Sequence, residues 1–240
     1  MAVHNNASWQ EMCMQLFLSA TNESELFLAL SNIALGLGFA YCAYGMRMPL
    51  PLVNPKTVML NNYSQAWQDR YAEQNYLEVD PTVAHGLSSV TPLVWSDQLF
   101  TSSREFWHEA RDHGLRIGWA QSSFDAKGVV GMLTLARSDD ELSAAEIREN
   151  SLKMSWLVQA AHESFARLIS TRSAVLPVQL TSREIEVLRW TADGKTSGDV
   201  GQIMNISERT VNFHVNNAIE KLGTANKTAA VIKAALLRLL

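Results

Sequence analysis

Residues Thr196–Leu222 read TSGDVGQIMNISERTVNFHVNNAIEKL, and this stretch decides the architecture of the C-terminal quarter of the chain. Thr196-x-x-Asp199 is a capping box: hydroxyl and carboxylate each satisfy a backbone N–H that the first helical turn leaves unpaired, so a helix starts here. A tight connection follows at Asn205-Ile206, and Ser207 is the N-cap of a longer second helix. On that helix Val211, Val215, Ala218, Ile219 and Leu222 share one face, while Arg209, Asn212, Phe213, Asn216 and Asn217 occupy the opposite arc. A short helix, a tight turn and a longer helix have the spacing of a helix-turn-helix. The outward arc has suitable chemistry: asparagine pairs with an adenine edge, arginine reaches guanine or phosphate, and phenylalanine touches a thymine methyl. A helical bundle with a solvated polar face has the same periodicity, so the pattern alone leaves DNA binding open.

Working outward, Thr181-x-x-Glu184 is a second capping box, Gly194 and Gly223 are stop signals, and residues 226–240 form a fourth helix. Residues 180–240 are thus a small all-α domain, and 171–179, containing Pro177, read as a linker. Residues 1–170 carry mixed signals. Trp9, Met12, Cys13, Leu16, Phe17 and Ala20 form one helical stripe, and a second helix begins behind Asn22 and ends at Gly36–Gly38. Strands are expected at 39–48, 57–61, 118–124 and 129–137, the last two joined by the turn at 125–128. Helices are expected over 64–74 and 103–113, and a long one from Ser143-x-x-Glu146 towards Ile169. The fold class is therefore α+β: an N-terminal α/β/α sandwich with an antiparallel sheet, followed by the helical domain. In the long helix Ile147, Met154, Ala161 and Leu168 recur every seven residues beside Val158 and Phe165, a stripe suited to a dimer interface or to the protein's own sheet. Ala230, Ile232, Ala235 and Leu236 offer a second interface.

Composition narrows the function. With 47% hydrophobic and 18% charged residues, 12 Gly and 6 Pro, the chain folds throughout, and disordered, collagenous and coiled-coil classes are excluded. Two cysteines cannot build a disulfide scaffold or a four-cysteine zinc site, and no basic-then-apolar leader precedes Trp9, which points to the cytoplasm. Leu26–Met46 lacks charge and has the length of a membrane span, but Ser31, Asn32, the Gly36–Gly38 break, Tyr41 and Tyr44 mark it as helix then strand, so no membrane partner is expected. The net charge of −4 divides into +2 from Val178 onward and −6 before it, too mildly basic a tail to indicate DNA by itself. The six histidines lack metal-ligand spacing and no Gly-x-Ser-x-Gly elbow is present. No catalytic residue, metal or cofactor is expected.

The segment from Tyr63 to Trp95 interleaves Tyr63, Trp67, Tyr71, Tyr76 and Trp95 with Asp80. Aromatics at helical spacing ordinarily fill a core. An aspartate among them needs donors, and an acceptor-only carboxylate suits the N–H of a ligand amide.

Leu180-Thr-Ser-Arg-Glu-Ile-Glu-Val-Leu-Arg-Trp, Gly194-Lys-Thr-Ser and Ser207-Glu-Arg-Thr-Val-Asn-Phe-His-Val resemble the DNA-binding domain of LuxR-type regulators, with Glu184, Leu188 and Gly194 at hallmark positions. Trp67-x-x-x-Tyr71, Asp80-Pro81, Trp95 and Gly118 resemble that family's autoinducer-binding domain. The resemblance implies an N-acyl-homoserine lactone ligand. Trp67 would donate to the lactone carbonyl, Tyr71 to the amide carbonyl, Asp80 would accept the amide N–H and Trp95 would pack on the ring. Tyr63, Thr82 and Thr134 would supply supporting hydroxyls. Met46, Val58, Leu60, Val83, Phe106, Leu115, Trp119 and Leu133 are candidates for the channel wall or for ordinary core. Overall likeness to the CepR and SolR subgroup implies an octanoyl or similar unsubstituted tail. The implied partners are palindromic double-stranded promoter DNA, a second copy of the chain and RNA polymerase. Asn212, Phe213 and Asn216 would read bases, and Lys195, Arg209 and Lys221 would reach phosphates. Two alternatives stay open: a regulator of another small amphiphile, and a lactone-binding or lactone-cleaving protein without DNA activity.

Overall fold

The computed structural model describes residues 8–172 and 178–240, apart from the side chains of 170–172, and in it the chain forms two compact units. The larger holds residues 8–48, 55–125 and 129–172, and the smaller is built on 178–240. Most of the expected linker, 171–179, lies outside the described residues.

In the larger unit the order is α1 (Trp9–Ser19), α2 (Glu23–Gly36), β1 (Tyr41–Arg47), β2 (Thr57–Asn61), α3 (Gln65–Glu73), a single 3-10 turn (Tyr76–Glu78), α4 (Pro81–Gly86), β3 (Leu93–Val94), α5 (Arg104–Asp112), β4 (Ile117–Phe124), β5 (Val130–Arg137) and α6 (Ala144–Arg172). The five strands make one antiparallel sheet in the order β2-β1-β5-β4-β3, with helices on both faces. The sandwich and the four longer strands match the sequence pattern. The turn at 76–78, α4 and β3 are too short to carry a readable period and escape it.

Side chains alternate across a strand, and here the alternation separates large residues from small ones. Cys42, Tyr44, Met46, Trp119, Leu133 and Leu135 point to α1, α2 and α6, where they join Phe17, Leu26, Leu30, Leu157, Val158 and Phe165 in the main core. A side chain of this size contributes about 1.5–3 kcal/mol when fully buried. The opposite face carries Ala43 and Gly45 on β1, Gly118, Ala120 and Ser122 on β4, and Met132, Thr134 and Ala136 on β5. Mostly small residues cannot fill the space beneath α3, α4 and α5.

The seven-residue stripe of α6 serves this main core: Met154, Val158, Ala161 and Phe165 are almost fully buried within the unit. Ser143 Oγ accepts the N–H of Glu146, but the Glu146 carboxylate pairs with the Arg137 guanidinium at 2.8 and 2.9 Å instead of completing a capping box.

The smaller unit comprises α7 (Ser182–Ala192), α8 (Ser197–Met204), α9 (Glu208–Leu222) and α10 (Lys227–Leu236). Both expected capping boxes form with their two reciprocal bonds, and Ser207 caps α9 by accepting from Thr210 N–H. The last helix stops at Leu236 instead of running to Leu240, and Arg238 just beyond it takes a left-handed backbone conformation. Val187, Val200, Val211 and Val215 pack α7, α8 and α9 together, and Leu188, Ala218, Leu222, Ala230 and Ala234 add α10.

Candidate functional site

The small-residue face of the sheet and helices α3 to α5 enclose a cavity of about 410 Å³, and all seven expected ligand residues, Tyr63, Trp67, Tyr71, Asp80, Thr82, Trp95 and Thr134, line it. Their positions follow from local structure. Ser64 caps α3 by accepting the Trp67 N–H at 3.3 Å, which starts the helix so that Trp67 and Tyr71 stand one turn apart, edge to face with centroids 5.9 Å apart. Asp80 is the N-cap of α4 with Pro81 behind it: its Oδ1 accepts the Thr82 N–H at 2.8 Å and the Thr82 hydroxyl at 2.7 Å. Its Oδ2 accepts the Tyr71 hydroxyl at 3.2 Å.

Burial raises the Asp80 carboxyl above its ordinary value, opposed by the donors on Thr82, Tyr71 and Val83. Its ionised form is thus poorly solvated and gains from a further donor, which an amide N–H in the cavity supplies. Burial also raises Tyr71 and Tyr63, with Asp80 adding to both shifts. Both phenols therefore stay protonated at neutral pH and remain donors. Trp95 lies directly over Gly118: a Cβ on that glycine would come within 2.3 Å of the indole, which is the physical reason for the glycine.

Arg70 and Glu109 form a paired ion bridge at 2.7 and 2.6 Å, and the Tyr76 hydroxyl donates to Glu109 at 2.9 Å, so α3 is pinned to α5. The Arg70 hydrogen bonds hold the Glu109 carboxyl down to about 2. This network escaped the sequence reading because its members are far apart in the chain.

Of the eight candidate wall residues, Val83, Phe106 and Leu115 line the cavity. Met46, Trp119 and Leu133 belong to the core on the other face, Leu60 packs against it, and Val58 pairs with Met46 across β1 and β2. Strand alternation explains the division. With Thr134 facing the cavity, Met132 and the cross-strand partner Ala43 must face it too, and Leu133 cannot.

In the smaller unit Arg209, Asn212, Phe213 and Asn216 are exposed along one side of α9, and Lys195 is exposed just before α8. Phe213 is 60% exposed on that side. Asn212 Oδ1 accepts the Ser197 hydroxyl at 2.8 Å, which fixes the amide and leaves its NH2 group outward as a donor. Gly201 allows the tight turn: a Cβ there would lie 2.8 Å from the Ile206 carbonyl oxygen. Lys221, one of the residues expected to reach phosphates, has a partner within the unit. Its Nζ bonds both oxygens of Glu184 at 2.9 and 2.8 Å, and Glu184, only 2% exposed, also accepts the Thr181 N–H. Burial opposes ionisation of Glu184, but Lys221 and Thr181 outweigh it and hold the carboxyl below its ordinary value. Lys221 therefore neutralises a buried charge and ties α9 to α7. Among the described residues no group of His, Cys, Asp or Glu could hold a metal ion, and no helix is long and apolar enough to cross a membrane.

A cavity with directed donors and one desolvated acceptor, joined in one chain to a helix-turn-helix, defines a ligand-responsive DNA-binding regulator. Residues 22–165 match the autoinducer binding domain family, and residues 178–234 match the bacterial regulatory proteins of the luxR family. The chain is 52% identical to the transcriptional activator protein AnoR of Acinetobacter nosocomialis, covering 97% of this chain and 99% of that one. It is 45% identical to SolR of Ralstonia solanacearum over 91% of this chain and 93% of SolR. A crystal structure of Escherichia coli SdiA superposes with a TM-score of 0.80 at 33% identity, covering 97% of this chain and 98% of SdiA. SdiA has also been seen in complex with octanoyl-rac-glycerol, and that structure gives a TM-score of 0.78 at 32% identity, covering 99% of this chain and 97% of SdiA. The chain belongs to the LuxR family of autoinducer-binding transcriptional regulators, which are not enzymes.

Proposed function

We propose that this protein is a quorum-sensing transcription factor that binds an N-acyl-homoserine lactone, dimerises and regulates promoters carrying a palindromic site. The observation that carries this reading is the convergence of Trp67, Tyr71 and Asp80 on one cavity. Two neutral donors and one acceptor match the two carbonyls and single N–H of such a ligand, and the apolar remainder suits its tail. Trp67 donates to the lactone carbonyl, the Tyr71 hydroxyl turns from Asp80 to donate to the amide carbonyl, Asp80 accepts the amide N–H in its place and Trp95 packs on the ring. Tyr63, Thr82 and Thr134 support them. An octanoyl or similar unsubstituted chain is the starting assignment.

Asn212, Phe213 and Asn216 read base edges, while Lys195 and Arg209 contact phosphates. Two copies with two-fold symmetry place half-site centres about 10 base pairs apart or a multiple of that. With the α6 stripe occupied by the unit's own core, the dimer forms on other surfaces. The exposed Ile232 and Ala235 on α10 are available, as is Leu152 on the outer side of α6, which is 83% exposed. RNA polymerase is the partner through which a bound dimer acts.

Sedimentation of the purified chain with and without octanoyl-homoserine lactone, paired with selection of bound DNA sequences, tests the whole reading. A ligand-bound dimer selecting an inverted repeat is expected; a monomer, or DNA selection without symmetry, rejects it. A second reading is favoured by the octanoyl glycerol held by SdiA: an uncharged octanoyl amphiphile lacking the lactone acts as ligand. It predicts that octanoyl glycerol raises the melting temperature as much as the lactone does.

A further inference from the structure

Trp95, just after β3, and Trp107, on α5, both line the cavity, and the chain between them runs through a largely exposed loop. Phe100, within that loop, stacks face to face on Trp107 with ring centroids 4.3 Å apart and planes 9° apart. Trp95 stands edge-on to both rings, at 6.0 Å and 88° from Phe100 and at 6.0 Å and 90° from Trp107. The three rings make one wall of the cavity, and Trp95 is the member assigned above to pack on the lactone ring.

The indole nitrogen of Trp95 is buried without a hydrogen-bond partner, so packing alone orients that ring. Part of that packing is the Phe100–Trp107 stack, and Trp107 does have a polar anchor: its indole N–H donates to Asp97 Oδ1 at 2.7 Å. The Arg111 guanidinium reaches the same oxygen at 3.5 Å and lies 5.5 Å from the centre of the Trp107 ring. Asp97 follows Trp95 by two residues and precedes Trp107 by ten, so this single bond closes the loop between the two tryptophans. Asp97 itself does not line the cavity, and its side chain is 81% exposed.

We propose that Asp97 is a positioning residue for the ligand ring: from the surface, and through Trp107, it holds the aromatic wall against which Trp95 is set. The inference rests on the lactone reading above. Without the carboxylate, water satisfies the Trp107 N–H but does not hold the indole in one orientation or tether the loop. The loss therefore falls on ligand binding and leaves the fold in place. The exposed Asp97–Arg111 pair adds little by itself, so the hydrogen bond to Trp107 carries the effect.

The test titrates the purified full chain with octanoyl-homoserine lactone for the parent, Asp97→Asn, Asp97→Ala, Trp107→Phe and the double variant Asp97→Ala/Trp107→Phe. Asp97→Ala should weaken binding about three- to tenfold. Its ligand-free melting temperature should stay within about 2 °C of the parent's, as for an exposed side chain. Asp97→Asn keeps an acceptor oxygen for the indole and should bind within about twofold of the parent. Trp107→Phe keeps a stacked ring without the N–H, and in that background Asp97→Ala should cost no further affinity. Parent-like binding by Asp97→Ala, an equal loss in Asp97→Asn, an undiminished loss beside Trp107→Phe, or a melting temperature lowered by more than about 2 °C overturns the inference and leaves the lactone reading intact. Failure of the lactone to bind the parent overturns both.

Discussion

The two units use their side chains in opposite directions. The larger turns its functional groups inward onto a space that exists because one face of its sheet carries mostly small residues. The smaller turns its groups outward from a single helix whose other face is the core. The first arrangement needs distant segments to meet before any site exists; the second is nearly complete once α9 has formed. Changes in the two units should therefore fail differently, and substitutions at four positions probe that contrast.

The largest effect is expected at Asp80, which both caps α4 and faces the cavity. Asp80→Ala should cost about 1 kcal/mol of stability through the lost cap and weaken lactone response at least tenfold through the lost charged acceptor. Asp80→Asn keeps a capping oxygen, so it should weaken the response without the stability loss. The folded carboxyl titrates above its unfolded value, so its stabilising contribution is full below the unfolded value and is lost as pH rises through the folded one. Ligand-free parent protein should lose stability over that rise, and Asp80→Asn should not. Equal responses of Asp80→Asn and parent in a reporter dose curve would reject the acceptor role.

Gly201→Ala is the matching test in the smaller unit. The atom in its way is backbone, so α8 and α9 must shift, at about 1–3 kcal/mol. DNA binding should fall sharply while lactone titration stays unchanged; loss of both together would dissolve the contrast between the units.

Lys221→Ala comes next. It leaves a buried carboxylate without its ammonium, which would be severe in a dry core, but Lys221 is 38% exposed and water relieves part of the loss. About 1–2 kcal/mol of stability is expected, with no change in the slope of DNA affinity against salt. A slope reduced by about one would return Lys221 to the phosphate contacts.

The smallest and most local effect belongs to Asn216→Ala: about 1 kcal/mol of discrimination at one base pair in each half-site, with stability unchanged. Selected DNA sequences identical to those of the parent would show that this part of α9 is not the reader.

The amino-acid sequence by itself determined the features whose causes lie within a few residues. The capping boxes at Thr181 and Thr196, the caps at Ser207 and Asn22, and the apolar stripe of α9 each rest on neighbours three or four positions away, so spacing reveals them. The residues that line the cavity around Trp67 and Asp80 were legible through the family pattern, and the cap made by Asp80 follows from its place before Pro81. Only the tertiary structure decided which side of the sheet each strand residue faces, and so assigned Trp119 and Leu133, which the sequence left open as channel wall or core, to the core. It likewise assigned the α6 stripe to the core, paired Lys221 with Glu184 across 37 positions and joined Arg70 to Glu109 across 39. Period-two alternation leaves the sign of a strand open until it is paired, and an ion pair between distant residues has no local period at all.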